Sequence, residues 1–324
     1  MAVPVAMLVV MPLAANPTPP AFTRPQDRPA EPSAQAALSP LLAVTQAGTR
    51  IVAVGLRGHI VLSDDGGRSW RQAAVPVSSD LLAVSFPTPS QGWAVGHGGV
   101  VLHSADGGAT WQRQLGGEPP SAEGGTPSLL DVHFENERIG YVVGTFNRIL
   151  RTDDGGMSWA PWMDRTDNPQ ELHFYAIRGG AAGLYLAGEQ GMVWRLDEAT
   201  QRFVAIPTPY KGTLFGLVTA GRDELLVFGM RGSLFRSGDR GRTWARVATG
   251  SSAGITGGAA LPDGRLLLVN QAGGLDLSGD HGQTFHPVKP VHPMPYFGVA
   301  ALGGGRIGLV GAQGVRLEAL GTEP

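Results

Sequence analysis

The sequence predicts an all-β protein, a single seven-bladed β-propeller of four-stranded blades over residues 41–320, and three observations predict it. An eight-residue turn recurs five times: "SDDGGRSW" at 63–70, "SADGGATW" at 104–111, "TDDGGMSW" at 152–159, "SGDRGRTW" at 237–244 and "SGDHGQTF" at 278–285. A glycine stands fifteen residues before the closing aromatic in four of these units, from Gly55 to Trp70, Gly96 to Trp111, Gly144 to Trp159 and Gly229 to Trp244. Counting decayed copies, the anchors fall at 55, 96, 144, 188, 229, 270 and 311, spaced by 41, 48, 44, 41, 41 and 41 residues. Seven units of that period, built from short apolar runs and glycine-rich turns, are the signature of propeller blades.

Each unit divides into four strands, most legibly the second: "LLAVSF" at 81–86, "GWAVG" at 92–96, "VVLHS" at 100–104 and "TWQRQ" at 110–114. The first is almost wholly apolar, as a strand packed between neighbouring blades must be. The last alternates apolar and polar, as a half-exposed outer strand does. The repeated turn joins strands three and four. Its Ser or Thr and its Asp can bond the local backbone, its glycines take positive φ without a Cβ clash, and its aromatic covers the base of the blade.

The fourth unit, "LAGEQGMVWRLDEATQRF", keeps the fifteen-residue offset from Gly188 to Phe203 but not the turn. The sixth has Asn270 at the anchor, and the seventh, from Gly311, ends before a fourth strand. Closing the ring would then call on a strand from residues 16–40, against which the prolines there argue.

Residues 1–15, "MAVPVAMLVVMPLAA", are apolar and resemble a signal-peptide core, which points to export. They lack a basic leader and a good cleavage site, so a floppy terminus is the other reading. Residues 16–40 form a Pro/Ala-rich lead-in. Net charge is −2 with no basic block, which gives nucleic-acid binding no support. The chain has no cysteine, hence no disulfide, thiolate metal site or Cys nucleophile.

The turn is expected to be scaffold, because a catalytic site is needed once whereas these residues recur at one offset. They are Ser63, Asp65, Gly67 and Trp70; Ser104, Asp106, Gly108 and Trp111; Thr152, Asp154, Gly156 and Trp159; Ser237, Asp239, Gly241 and Trp244; and Ser278, Asp280, Gly282 and Phe285. A calcium loop is the sharper alternative, but one or two carboxylates per copy fall short of the ~6–8 oxygens calcium takes. No two of the eight histidines have H-x-x-x-H spacing, so no metal or cofactor is expected.

These turns look like the Asp-box, S-x-D-x-G-x-[ST]-W. The fuller unit "LLAVSFPTPSQGWAVGHGGVVLHSADGGATWQRQ" resembles the photosystem II stability/assembly factor family. That resemblance implies a seven-bladed, non-catalytic propeller that acts on subunits of a membrane complex. Sialidases also carry Asp-boxes, so a sialidase-like hydrolase or carbohydrate binder is the alternative. Its Arg-Ile-Pro signature is absent, and Tyr141 and Tyr185 sit in apolar strand-two runs where a packed tyrosine is expected.

Binding is expected on the face opposite the Asp-boxes, where the strand-two-to-three turns and the blade-to-blade insertions vary most. Arg57, Arg148 and Arg231 fall in the turns, and Arg165, Lys211, Trp162 and Tyr210 in the insertions. They suggest a positively charged patch for a protein partner on a monomeric propeller.

Overall fold

A computed structural model describes residues 23–116 and 127–320. The signal-peptide expectation and part of the 115–128 insertion lie outside the described residues. Seven antiparallel sheets follow one another along the chain, six of four strands and a last one of three, each in the order of the sequence. The second blade comprises Leu81–Ser85, Gly92–Gly96, Val101–Ser104 and Gln112–Leu115, within two residues of the sequence reading at each end. Between each pair of neighbouring sheets lies an apolar cluster, such as Val52, Leu62, Ala94 and Leu102 between blades one and two.

The 41-residue period has a steric cause. A Cβ on Gly55, Gly96, Gly144, Gly188, Gly229 or Gly311 would lie 1.9–2.4 Å from the carbonyl oxygen just before the same blade's inner strand. That carbonyl accepts the N–H of the residue after the anchor, as in His97 N to Asp80 O (3.0 Å) and Thr145 N to Ser128 O (3.0 Å). The contact fixes the strand-two-to-three turn beside the chain entering the blade, so both lie on one face, here called the entry face. The sixth blade has Asn270 at the anchor and keeps the contact, Gln271 N to Gly254 O (3.1 Å), while Asn270 Oδ1 also accepts the N–H groups of Ala272 and Gly274.

The five Asp-boxes are superposable hydrogen-bond cages. In the second, Ser104 Oγ donates to Asp106 Oδ1 (2.9 Å) and accepts from Gly108 N (2.8 Å). The same carboxylate accepts Thr110 N (2.9 Å) and Thr110 Oγ1 (2.7 Å). Asp65, Asp154, Asp239 and Asp280 are held the same way. The hydroxyls bonded to Asp154 and Asp239, Ser158 and Thr243 first among them, hold both carboxyls at about 2. Each box also rests on the preceding blade: Gly67 faces Leu317, Gly108 faces Leu62, Gly156 faces Trp93, Gly241 faces Ile206 and Gly282 faces Leu226. The turn is scaffold between blades as well as within them.

The expected closing strand does not form within residues 23–40. That stretch contains two short 3-10 turns, Pro25–Asp27 and Ala36–Leu38, and runs along the outside of blade one through Ala30 N to Val75 O and Ser78 N to Pro25 O. Its prolines lack the N–H groups a ladder needs. Among the described residues blade seven (Tyr296–Leu302, Arg306–Gly311 and Gly314–Ala319) is three-stranded. The ring closes by side-chain packing of Leu41, Val44 and Ile51 against Leu302, Val310 and Val315, with Ala36 wedged alongside.

Candidate functional site

The entry face carries most of the binding residues expected from the sequence. Arg57 and Arg231 are equivalent: both are exposed at the middle of a three-residue turn, in the left-handed conformation with φ of 59° and 57°. Arg148 is not their counterpart. In blade three the left-handed positions are held by Phe146 and Asn147, both at φ 56°, and Arg148 is half-buried against the following strand. Phe146 is 64% exposed, a large apolar side chain held out by a turn stitched through Asn147, Thr166 and Asn168. Arg165 and Lys211 are exposed, Arg165 lying 3.7 Å from Asp164.

The two aromatics are half-buried and make local contacts. Trp162 lies under the Arg151 guanidinium, 4.6 Å from its ring centroid, and edge-on to Tyr141. Tyr210 packs 5.8 Å from Phe235 and donates its hydroxyl to Met230 O (3.2 Å), tying the incoming connection to the turn of blade five. Nor is the face uniformly positive. Asp80 accepts the N–H of Arg57 (2.8 Å), and Glu189 accepts that of His173 (2.9 Å).

Sequence reading missed the mouth of the central channel. In every blade the inner strand bulges at its second residue: Leu41 pairs with Gly55 but Ala43 with Val54, and the same slip recurs six times. An unpaired bulge residue is re-aimed out of the sheet, here onto the channel. The result is a half-buried collar: Leu42, Leu82 and Leu130 from blades one to three, Tyr175, Phe215 and Phe297 from blades four, five and seven, with Thr256 in blade six. An aromatic track runs outward from it, Phe215 to Tyr175 at 5.9 Å, Tyr175 to His173 at 6.4 Å and His173 to Phe146 at 4.7 Å.

The collar and the channel it opens into enclose a space of about 390 Å³. The third inner-strand residue is Ala or Gly in six blades and Asp131 in blade three. Asp131 is 4% exposed and accepts Ile177 N (2.8 Å) and Arg178 Nη1 from blade four. Burial pushes its carboxyl up against the pull of Arg178. Beside them burial, then Arg178, lowers His133 to about 4, so its ring is neutral at pH 7. The signal was present in the repeat: in "LLA", "LLA", "LLD", "FYA", "LFG", "ITG" and "YFG" the second residue is large in all but "ITG" and the third small in all but "LLD".

On the Asp-box face, blade four replaces the box by a tight hairpin in which Asp197 pairs directly with Arg202. The missing turn leaves a cleft of about 750 Å³ against blade three, lined by Tyr141, Arg151, Leu196 and Gln201. Tyr141 and Tyr185 are 1% and 0% exposed. Neither is placed as an accessible nucleophile, in line with the packed reading.

Fold and turns together define a seven-bladed propeller of the Asp-box class, with varied turns on one face of a repeating scaffold. The sequence profile described as photosynthesis system II assembly factor YCF48 matches residues 42–124 and 123–290, and the chain belongs to that family. The photosystem II assembly protein Ycf48 of Synechococcus sp. (strain JA-2-3B'a(2-13)) is 46% identical over 56 residues, 16% of this chain and 17% of that protein. The photosystem II assembly lipoprotein Ycf48 of Synechococcus sp. (strain CC9902) is 33% identical over 75 residues, 20% of this chain and 22% of that one. The matched segments thus span about a fifth of those curated relatives. Among solved structures, YCF48 bound to D1 peptide superposes with a TM-score of 0.70 at 19% identity, covering 88% of this chain and 95% of that one. The WD40 propeller domain of Doa1 superposes at 0.67 with 10% identity, over 90% and 95% of the two chains, a likeness of fold alone.

Proposed function

We propose that this protein is a non-enzymatic, exported propeller that binds a polypeptide partner through its entry face and aids the assembly or stability of a membrane-associated complex. The observation that carries this reading is the contrast between faces. On the Asp-box face the turns bond themselves and the preceding blade, whereas the entry face exposes Arg57, Arg231, Phe146 and Met230 on a rigid ring. Rigid scaffolds with variable exposed turns are where recognition resides. Family membership supports the assembly role, and a superposable relative is described as bound to a D1 peptide. Among the described residues no helix is long and apolar enough to cross a membrane.

The test is affinity capture from the native host with mass-spectrometric identification. Arg57→Glu/Arg231→Glu should lose the partner that wild type retains, more sharply at low salt, because exposed charges act on encounter and are screened. Reversal at Arg68 and Arg242 on the opposite face is the control for total charge and should retain it. Equal capture by all three proteins would sink the arginine assignment. Fractionation of a C-terminally tagged chain tests export.

A further inference from the structure

We infer that the mouth of the central channel receives the end of a polypeptide chain, an apolar side chain seated in the collar and the terminal carboxylate on Arg178; this rests on the protein-binding reading above. The collar is built by the same bulge in all seven blades, so it is a feature of the ring and not of one loop. Its side chains are half-buried rather than packed, six of the seven being Leu, Phe or Tyr. An apolar group entering there leaves water on several sides at once, the setting in which a single anchor contributes most to binding.

The charge in the channel then selects the occupant. Arg178 lies three residues beyond Tyr175 on the inner strand Phe174–Gly180, roughly 10 Å at the rise of a strand. Asp131, its partner, lines the same channel but is only 4% exposed, whereas the Arg178 side chain is 46% exposed. Arg178 uses only Nη1, toward Asp131 and Ile177 O; its Nε–Nη2 edge has no partner among the described residues. His133, the other titratable group on this wall, is neutral at pH 7 and adds no countercharge. The channel therefore presents a guanidinium edge, the geometry that takes a carboxylate in a bidentate pair. The space of about 390 Å³ spanning collar and channel has room for the end of one extended chain.

The experiment uses a fluorescein-labelled hexapeptide, Gly-Ser-Gly-Ser-Leu-Phe, as free acid and as C-terminal amide, with a Ser-Ser-ended control, followed by fluorescence polarisation. Wild type should bind the free acid about tenfold or more tighter than the amide, the worth of one charged hydrogen-bonded contact. The Ser-Ser peptide should bind weakest. Asp131→Ala/Arg178→Ala, which removes the pair together and gives blade three the small residue six blades already carry, should bind acid and amide equally. Tyr175→Ser/Phe215→Ser should weaken both. Equal binding of acid and amide by wild type, no binding of either, or discrimination surviving the paired replacement would each overturn the inference. The acid–amide comparison uses wild type and does not depend on any variant folding. Should the channel variants capture the cellular partner normally while Arg57→Glu/Arg231→Glu does not, the channel inference fails and the protein-binding reading stands. Should wild type capture none, that reading itself fails.

Discussion

The two faces of the disc are made from the same strands, yet their turns behave oppositely. On the Asp-box face five turns are nearly identical, and both oxygens of each carboxylate are engaged by neighbouring hydroxyls and N–H groups. On the entry face the seven turns share a backbone contact but no side chain: Arg57, Gly98, Phe146, Gln190 and Arg231 all hold left-handed positions. One face repeats because it carries packing between blades; the other varies because only its backbone is constrained. Repetition in a sequence thus marks structure, and the departures from it mark where chemistry can differ.

The largest expected effect tests the structural side. Trp111→Ala removes a 5%-exposed indole from the seam between blades one and two and should cost on the order of 3–5 kcal/mol by denaturant unfolding, with partner binding by the folded fraction unchanged. A loss of binding without a loss of stability would reverse the assignment of that face.

Next is the channel joining the faces. His133 is held at about 4 against its ordinary 6.5, so between those values the unfolded chain binds a proton the folded chain does not. Stability should therefore rise with pH across that window, by about 2–3 kcal/mol, and level off above it. His133→Gln should flatten the profile; an unchanged slope would show that the ring is not the group responsible.

Asp106→Ala removes the acceptor for Ser104 and Thr110 and should cost about 1–3 kcal/mol. The depressed carboxyls of Asp154 and Asp239 act in acid: their contribution is complete above the ordinary carboxylate value and is lost as pH falls toward about 2. Replacing both by Asn should make the acid limb of the unfolding curve shallower. Smallest of all, Arg57→Glu/Arg231→Glu should leave stability within about 0.5 kcal/mol while altering association, since exposed turn residues have little to lose on the folded side.

The blade count, the strand boundaries and the role of the boxes were legible because each is enforced seven or five times over. Single features were not. Arg148 groups with Arg57 by composition, but counted from the anchor glycine it holds the place of His59, and Phe146 holds the left-handed place of Arg57. Trp162 and Tyr210 stood in insertions and were taken as surface, whereas each folds back onto its own blade. The collar was hidden for a different reason: an apolar inner strand announces burial, and only the bulge turns every second residue toward the axis.

The contact of each Asp-box with the blade before it has a mechanical consequence. Boxes rivet blade one to seven, two to one, three to two, five to four and six to five. Blades four and seven have none, so the disc falls into two arcs, one of blades seven, one, two and three and the other of four, five and six. The unriveted seams are tied near the axis, by Asp131 to Arg178 and Ile177 at one and by Thr256 Oγ1 to Tyr296 O (2.7 Å) at the other. Both seams are also bridged by the blade-to-blade connections, Asp167 N to Phe203 O (2.9 Å) at one and Val291 N to Glu318 Oε1 (3.1 Å) at the other. At these two seams the insertions take over the task that the boxes perform at the other five.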